Sequence, residues 1–220
     1  MMPFAGGVSA TANGTLILSL AAAVYYLLLL GRPPSLRRTA VKAGSVALLA
    51  VLSWQAGGPP LLVVALLLSA AGDAFLAHPG ERAFLAGLAS FLAGHLAYVA
   101  LFLLVGGGAA AVAGWRIALA LAMAAFALAM LRALWPALAG AMRGPVAAYV
   151  AAILAMGLAA LTLPSALAIL GTVLFMLSDA ILAAARYLLP ARSPHHGWMS
   201  PAVWISYVCA QLFIVLGLVV

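Results

Sequence analysis

The chain reads as an all-α integral membrane protein of eight transmembrane helices, and two observations lead there. Hydrophobic residues make up 68% of the 220 positions and charged residues 6%, with a mean hydropathy of +1.27, where a soluble domain carries roughly a quarter of its residues as charges. The apolar residues also fall into long Ala- and Leu-rich runs separated by Gly, Pro and Arg, without the alternation of a strand. A span needs about 20 apolar residues and must satisfy its backbone hydrogen bonds internally. The length is therefore filled by eight helices in a single transmembrane domain, residues 1–220, with no room for a soluble domain.

The spans are expected at 13–31, 39–57, 60–78, 83–105, 113–134, 144–162, 164–189 and 200–220. The segment before the first run carries no positive charge and the run is followed by Arg32, Arg37 and Arg38, so it reads as a spanning helix, not a cleaved leader. Breaks at Gly57-Gly58, His78-Pro79-Gly80, Gly106-Gly107-Gly108, Arg143-Gly144-Pro145, Pro164 and Pro190 set the remaining ends. If the spans alternate, the loops after the odd-numbered ones hold Arg32, Arg37, Arg38, Arg82, Arg132, Arg143, Arg186 and Arg192, against Arg116 alone on the other side. The positive-inside rule then puts those loops in the cytoplasm and both termini outside.

That distribution also explains the net charge of +7, from ten Lys and Arg against three Asp and Glu. Single basic residues between apolar runs are topology signals, not a nucleic-acid groove. The lone Cys209 allows no intramolecular disulfide. His78, Glu81, His195 and His196 lie in loops without metal-binding spacing, so no metal or other cofactor is expected. There is no phosphate-binding loop and no nucleophile elbow.

Two segments match across the chain. Gly72-Asp73-Ala74-Phe75-Leu76-Ala77 in span three corresponds to Ser178-Asp179-Ala180-Ile181-Leu182-Ala183 in span seven, and Gly94-His95-Leu96 to Ala210-Gln211-Leu212 one helix later. Four intervening helices keep both copies in the same direction. This suggests a parallel four-plus-four repeat with halves 13–105 and 113–220, with composition bias in an Ala/Leu-rich chain as the competing explanation.

Intramembrane carboxylates are costly to insert, by at least about 2.5 to 3.5 kcal/mol, and point to function by default. Asp73 and Asp179 are expected at one level, about 20 and 22 Å from the outer ends of their helices. His95 and Gln211 fall near the middle, and Lys42 near the cytoplasmic end of span two. Ser69, Tyr98, Tyr207 and Ser178 lie on the same faces by helical spacing. Phe84, Phe91, Tyr98 and Phe102 form a stripe that fits either an acyl channel or core packing. The carboxylates admit three uses. They can form buried pairs that fix helix register, Asp73 with Lys42 or Asp179 with Arg186. They can supply acid and base catalysis, since two carboxyl groups in one poorly hydrated cavity disfavour simultaneous ionisation. They can serve a small proton-coupled transporter. A lipid-binding scaffold without catalysis is a further reading.

Lys42 in span two, Gly72-Asp73 with Phe75-Leu76, Phe84-Leu85-Ala86-Gly87-Leu88 running to Phe91, His95 and Tyr98, Ser178-Asp179 with Leu182-Ala183, and Tyr207-Val208-Cys209-Ala210-Gln211 together resemble the YhhN or lysoplasmalogenase-like family. The likeness covers nearly the whole chain. One departure is Ala43, where the family's span-two lysine is usually followed by Pro. The resemblance implies an eight-span membrane hydrolase that cleaves the vinyl ether bond of lysoplasmalogen to a fatty aldehyde and glycerophosphoethanolamine or glycerophosphocholine. It implies Asp73 and Asp179 as the catalytic pair, with Lys42, Glu81, His95, Tyr98, Ser178, Tyr207 and Gln211 binding substrate or supporting them. The partners are then a lysophospholipid and the bilayer, with the phosphate met by Lys42, Arg82 and Arg38. The Ala, Gly and Arg bias suggests a GC-rich bacterial genome and hence an inner-membrane location.

Overall fold

The computed structural model describes residues 2–7, 10–190 and 192–220. Among them the regular structure is helical throughout: α1 (Thr11–Leu29), α2 (Leu36–Gln55), α3 (Pro60–Leu76), α4 (Glu81–Val105), α5 (Trp115–Leu134), α6 (Gly140–Ala160), α7 (Ala166–Tyr187) and α8 (His196–Val219), with 3₁₀ turns at Ala109–Ala111 and Trp135–Ala137. Ser35 caps α2 by accepting from the Arg38 amide, and Ser165 caps α7 by accepting from that of Ala168, each at 3.3 Å, meeting amides that a helix start leaves open. Pro60 opens α3, where its missing N–H costs nothing.

Helices α6 and α8 begin four residues before the expected positions of 144 and 200. Pro145 and Pro201 each stand one residue after those expected starts, yet each lies inside its helix. Each proline gives up only a bond to a carbonyl of the first turn, so the helix tolerates it at that end.

Six helices, α1 and α4 through α8, are long and apolar enough to cross a membrane. α3 has 17 residues, about 25 Å at 1.5 Å per residue, and the first two turns of α2 carry Arg37, Arg38 and Lys42. The outer surface is apolar, with Leu28 73%, Leu104 75% and Leu121 68% exposed. Trp54, Trp115, Trp135 and Trp198 are exposed at helix ends, where amphipathic rings settle at a bilayer interface. The chain is a multi-pass integral membrane protein.

Neighbouring helices pack closely where side chains are small, as lipid-embedded helices require. A Cβ on Gly171 would come 2.7 Å from the Ala210 carbonyl and 2.9 Å from the Ile214 amide, so α7 and α8 meet backbone to backbone. Across the bundle, α4 packs on α6 and α8 on α2. Tyr98 and Phe102 are fully buried in the core, whereas Phe84 and Phe91 line a cavity, so the aromatic stripe divides between packing and site. The α1–α2 and α3–α4 connections and the end of α7 reach this cavity, through Leu30, Gly80 and Tyr187. At the opposite end Gly107 donates to the Thr162 carbonyl, joining the α4–α5 and α6–α7 connections.

Candidate active site

The cavity has a volume of about 410 Å³ and is lined from all eight helices. Its walls are mostly apolar, from Leu76 and Leu88 on α3 and α4, Phe126 and Met130 on α5, and Ile153 and Met176 on α6 and α7. Asp73 and Asp179 both line it. The last turn of α3 and the middle of α7 carry these side chains inward because the helices run unbroken through them. That continuity departs from the discontinuous helices expected of a transporter.

Asp73 is held by two groups. Its Oδ1 lies 3.0 Å from Lys42 Nζ, and its Oδ2 accepts from Tyr207 Oη at 2.7 Å. The sequence-level pairing of Asp73 with Lys42 is thus present, and it lies within the cavity, since both residues line it. Lys42 keeps some access, its side chain being 13% exposed against 2% for Asp73. Asp179 accepts from Tyr149 Oη at Oδ2, also at 2.7 Å, and His95 Nε2 stands 3.7 Å from the same oxygen. Among the described residues no Lys or Arg forms a salt bridge with Asp179. The expected pairing of Asp179 with Arg186 is not formed, because the Arg186 guanidinium stacks on the Phe84 ring at 3.5 Å. His95 is buried and wedged edge-on between Tyr149 and Phe175, with ring centres at 5.1 and 4.8 Å.

The other expected residues divide. Ser178 lines the cavity while donating to the Val203 carbonyl at 3.0 Å, which ties α7 to α8 beside Asp179. Tyr98 donates to Gln211 Oε1, and this buried pair braces α4 against α8 away from the cavity lining. Ser69 donates to the Ala65 carbonyl within its own helix. Glu81 is exposed in the first turn of α4 and does not line the cavity. A carboxylate at a helix N-terminus is stabilised there by the helix dipole, which accounts for Glu81 without a site role. His78 lies within 3.4 Å of Thr39, while the adjacent His195 and His196 meet Trp198 and the Pro190 carbonyl, so these histidines fall at two separate places.

Tyr149 is the site residue that sequence reasoning missed. A signal for it existed: Asp179 follows Asp73 by 106 positions and Tyr149 follows Lys42 by 107. The residue facing each aspartate from the preceding helix thus differs in chemistry, an ammonium on α2 and a phenol on α6.

The YhhN family model matches residues 37–218. A lysoplasmalogenase from Mycobacterium bovis is 34% identical over 157 residues, which are 70% of this chain and 58% of the relative. A lysoplasmalogenase from Mycobacterium tuberculosis gives the same identity over the same extent. The matched region thus spans less than two thirds of the length of these relatives. No solved structure matches. The match across nearly all of α2 to α8, taken with the two carboxylates on one cavity, leads to one conclusion: the chain belongs to the YhhN family.

Proposed function

We propose that the protein is an intramembrane hydrolase that cleaves the vinyl ether bond of a lysoplasmalogen, releasing a fatty aldehyde and a glycerophospho-alcohol. The observation that carries this reading is the pair of aspartates on one apolar-walled cavity, each bonded to a tyrosine and only one paired with a cation. All eight helices span the membrane in this reading, the halves 13–105 and 113–220 are a parallel repeat, and the basic end faces the cytoplasm of a bacterial inner membrane. The corresponding packing of α4 on α6 and α8 on α2 supports the repeat.

Vinyl ether hydrolysis begins when the β-carbon takes a proton and the C–O unit becomes an oxocarbenium ion. Asp179, which has no Lys or Arg partner, delivers that proton and becomes a carboxylate. Asp73, fixed as the anion by Lys42, stabilises the cation electrostatically and removes a proton from the attacking water. The resulting hemiacetal gives its hydroxyl proton to Asp179 while Asp73 returns its proton to the leaving glycerol oxygen. The C–O bond then breaks and both aspartates regain their starting states. Tyr149 and Tyr207 orient the two carboxyl groups, and the lipid chain lies along the wall of Leu88, Phe126 and Met130.

Aldehyde release from a vinyl-ether lysophospholipid by the purified protein tests this. Asp73→Asn and Asp179→Asn should each lower turnover by about 10²-fold or more with the melting temperature in detergent near that of the parent. Loss of folded protein in both variants would assign the pair to helix register instead.

A further inference from the structure

Away from its mouth, where the α1–α2 and α3–α4 connections reach it, the cavity is closed by two walls of opposite character. On the side of α4 and α8 the wall is aromatic. Phe91, Phe175 and Tyr207 meet edge to face, with ring centres 6.4 Å apart for Phe91 and Phe175, 5.7 Å for Phe91 and Tyr207, and 5.3 Å for Phe175 and Tyr207. The Tyr207 hydroxyl is also fixed on Asp73. Rings interlocked in their preferred geometry yield little, because displacing one disturbs the other two.

On the side of α5, α6 and α7 the wall is soft. The lining reaches Ala127 on α5, Ile153 on α6 and Met176 on α7. One turn beyond the first two, on the same helix faces, stand Met123 and Gly157. A Cβ on Gly157 would come 3.0 Å from Met176 Sδ and 3.3 Å from both Sδ and Cε of Met123, so the two thioethers fill the notch that the missing side chain leaves. Both methionines are buried. A methionine side chain is unbranched and polarizable, and it adapts to irregular apolar surfaces. A hydrocarbon chain that arrives here meets groups able to turn aside, whereas one that arrives at the aromatic wall does not.

We propose that Met123 and Met176, seated over Gly157, are the end wall that sets the longest hydrocarbon chain the cavity accepts. The inference rests on the reading that a single-chain ether lipid occupies the cavity, with its chain along Leu88, Phe126 and Met130. Two thioethers give a graded limit, because an added methylene displaces a flexible side chain before it meets packed core. Residues that touch neither the head group nor the reacting bond thereby decide which lipids are cleaved.

Retention of alkyl-ether lysophosphocholines, which lack the cleavable bond, tests the wall without turnover. The full chain in detergent is equilibrated with an equimolar series of increasing chain length, and mass spectrometry compares the lipid held by the protein with that left in the micelles. The micelle is itself hydrocarbon, so added methylenes should leave the ratio level until the chain no longer fits, where it should drop several-fold. Met123→Ala and Met176→Ala each remove Cγ, Sδ and Cε, and should move that drop to chains about two or three carbons longer. Gly157→Ala displaces only the far ends of flexible side chains and turns them toward the cavity that Met176 lines. It should move the drop about one carbon shorter, and it keeps the test open where an alanine at a methionine costs too much folded protein. Phe91→Leu, on the aromatic wall, should leave the drop in place. A drop at the parent's length in Gly157→Ala and in the folded methionine variants, or an equal shift in Phe91→Leu, would overturn the proposal and leave the hydrolase reading standing. Retention of no lysolipid at any length would remove both.

Discussion

Lys42 and Tyr149 occupy corresponding places, each on the helix before an aspartate and each in contact with it, at 3.0 Å from Asp73 and 2.7 Å from Asp179. One carboxylate therefore faces an ammonium and the other a phenol. In the proposed mechanism this difference distinguishes Asp73, the anion, from Asp179, the proton carrier.

The separation has a stability consequence. Lys42→Met leaves Asp73 at 2% exposure without its cation, and an uncompensated buried charge costs about 3 to 5 kcal/mol. Asp73→Asn is milder, because Lys42 is partly exposed near the mouth and its flexible chain can carry the ammonium toward water. Thermal melts in detergent should rank Lys42→Met well below Asp73→Asn, with the double variant recovering most of the loss. A double variant as unstable as Lys42→Met would mean that the packing of the lysine stem, not its charge, matters at this position.

Tyr149→Phe keeps the ring against His95 and removes only the donor to Asp179. The lost bond should cost about 1 kcal/mol of stability but a larger factor in turnover, on the order of tenfold, because the acid loses its orientation. Tyr207→Phe does the same to Asp73. Steady-state aldehyde release beside melting curves distinguishes the two effects. Equal fractional losses in rate and in folded protein would reduce both tyrosines to packing.

Much of this site was legible because polar residues are scarce in an apolar chain. With three acidic residues in the sequence, Asp73 and Asp179 identify themselves, and helical spacing from them and from Gln211 leads to Ser178 and Tyr207. Spacing within a helix does not say which neighbour an aspartate meets across the bundle, so Tyr149 was missed. The same limit grouped Tyr98 and Gln211 with the cavity when they brace α4 and α8 behind it. Glu81 was legible as a loop carboxylate between spans, and it stands exposed in the first turn of α4, which begins just after Gly80 at φ 108°. Proline misled the starts of α6 and α8, because one in the second turn of a helix looks in sequence like one at its beginning.

Close approach of α7 and α8 sets the depth at which Asp179 meets the cavity. Gly171→Ala places a methyl 2.7 Å from the Ala210 carbonyl and 2.9 Å from the Ile214 amide, contacts that no rotamer relieves. The helices must separate, at about 1 to 3 kcal/mol. Gly44→Ala meets open space and, within a helix, should be neutral or stabilising by up to about 1 kcal/mol. Melting temperatures of the two variants check the comparison, and equal values would show that the α7–α8 contact yields without cost.

The order of proton transfers leaves a chemical trace. If Asp179 protonates the β-carbon of the vinyl ether, that carbon becomes the one next to the aldehyde group, and its new hydrogen comes from solvent through the carboxyl. Turnover in D₂O should therefore give an aldehyde bearing one deuterium at that carbon, read by mass spectrometry after immediate reduction to the alcohol. An alkyl ether lysolipid has no double bond to protonate, and neither the parent nor any variant should cleave it. Undeuterated aldehyde, or cleavage of the alkyl ether, would mean that bond breaking does not begin with protonation at carbon, and the roles given to Asp73 and Asp179 would fail together.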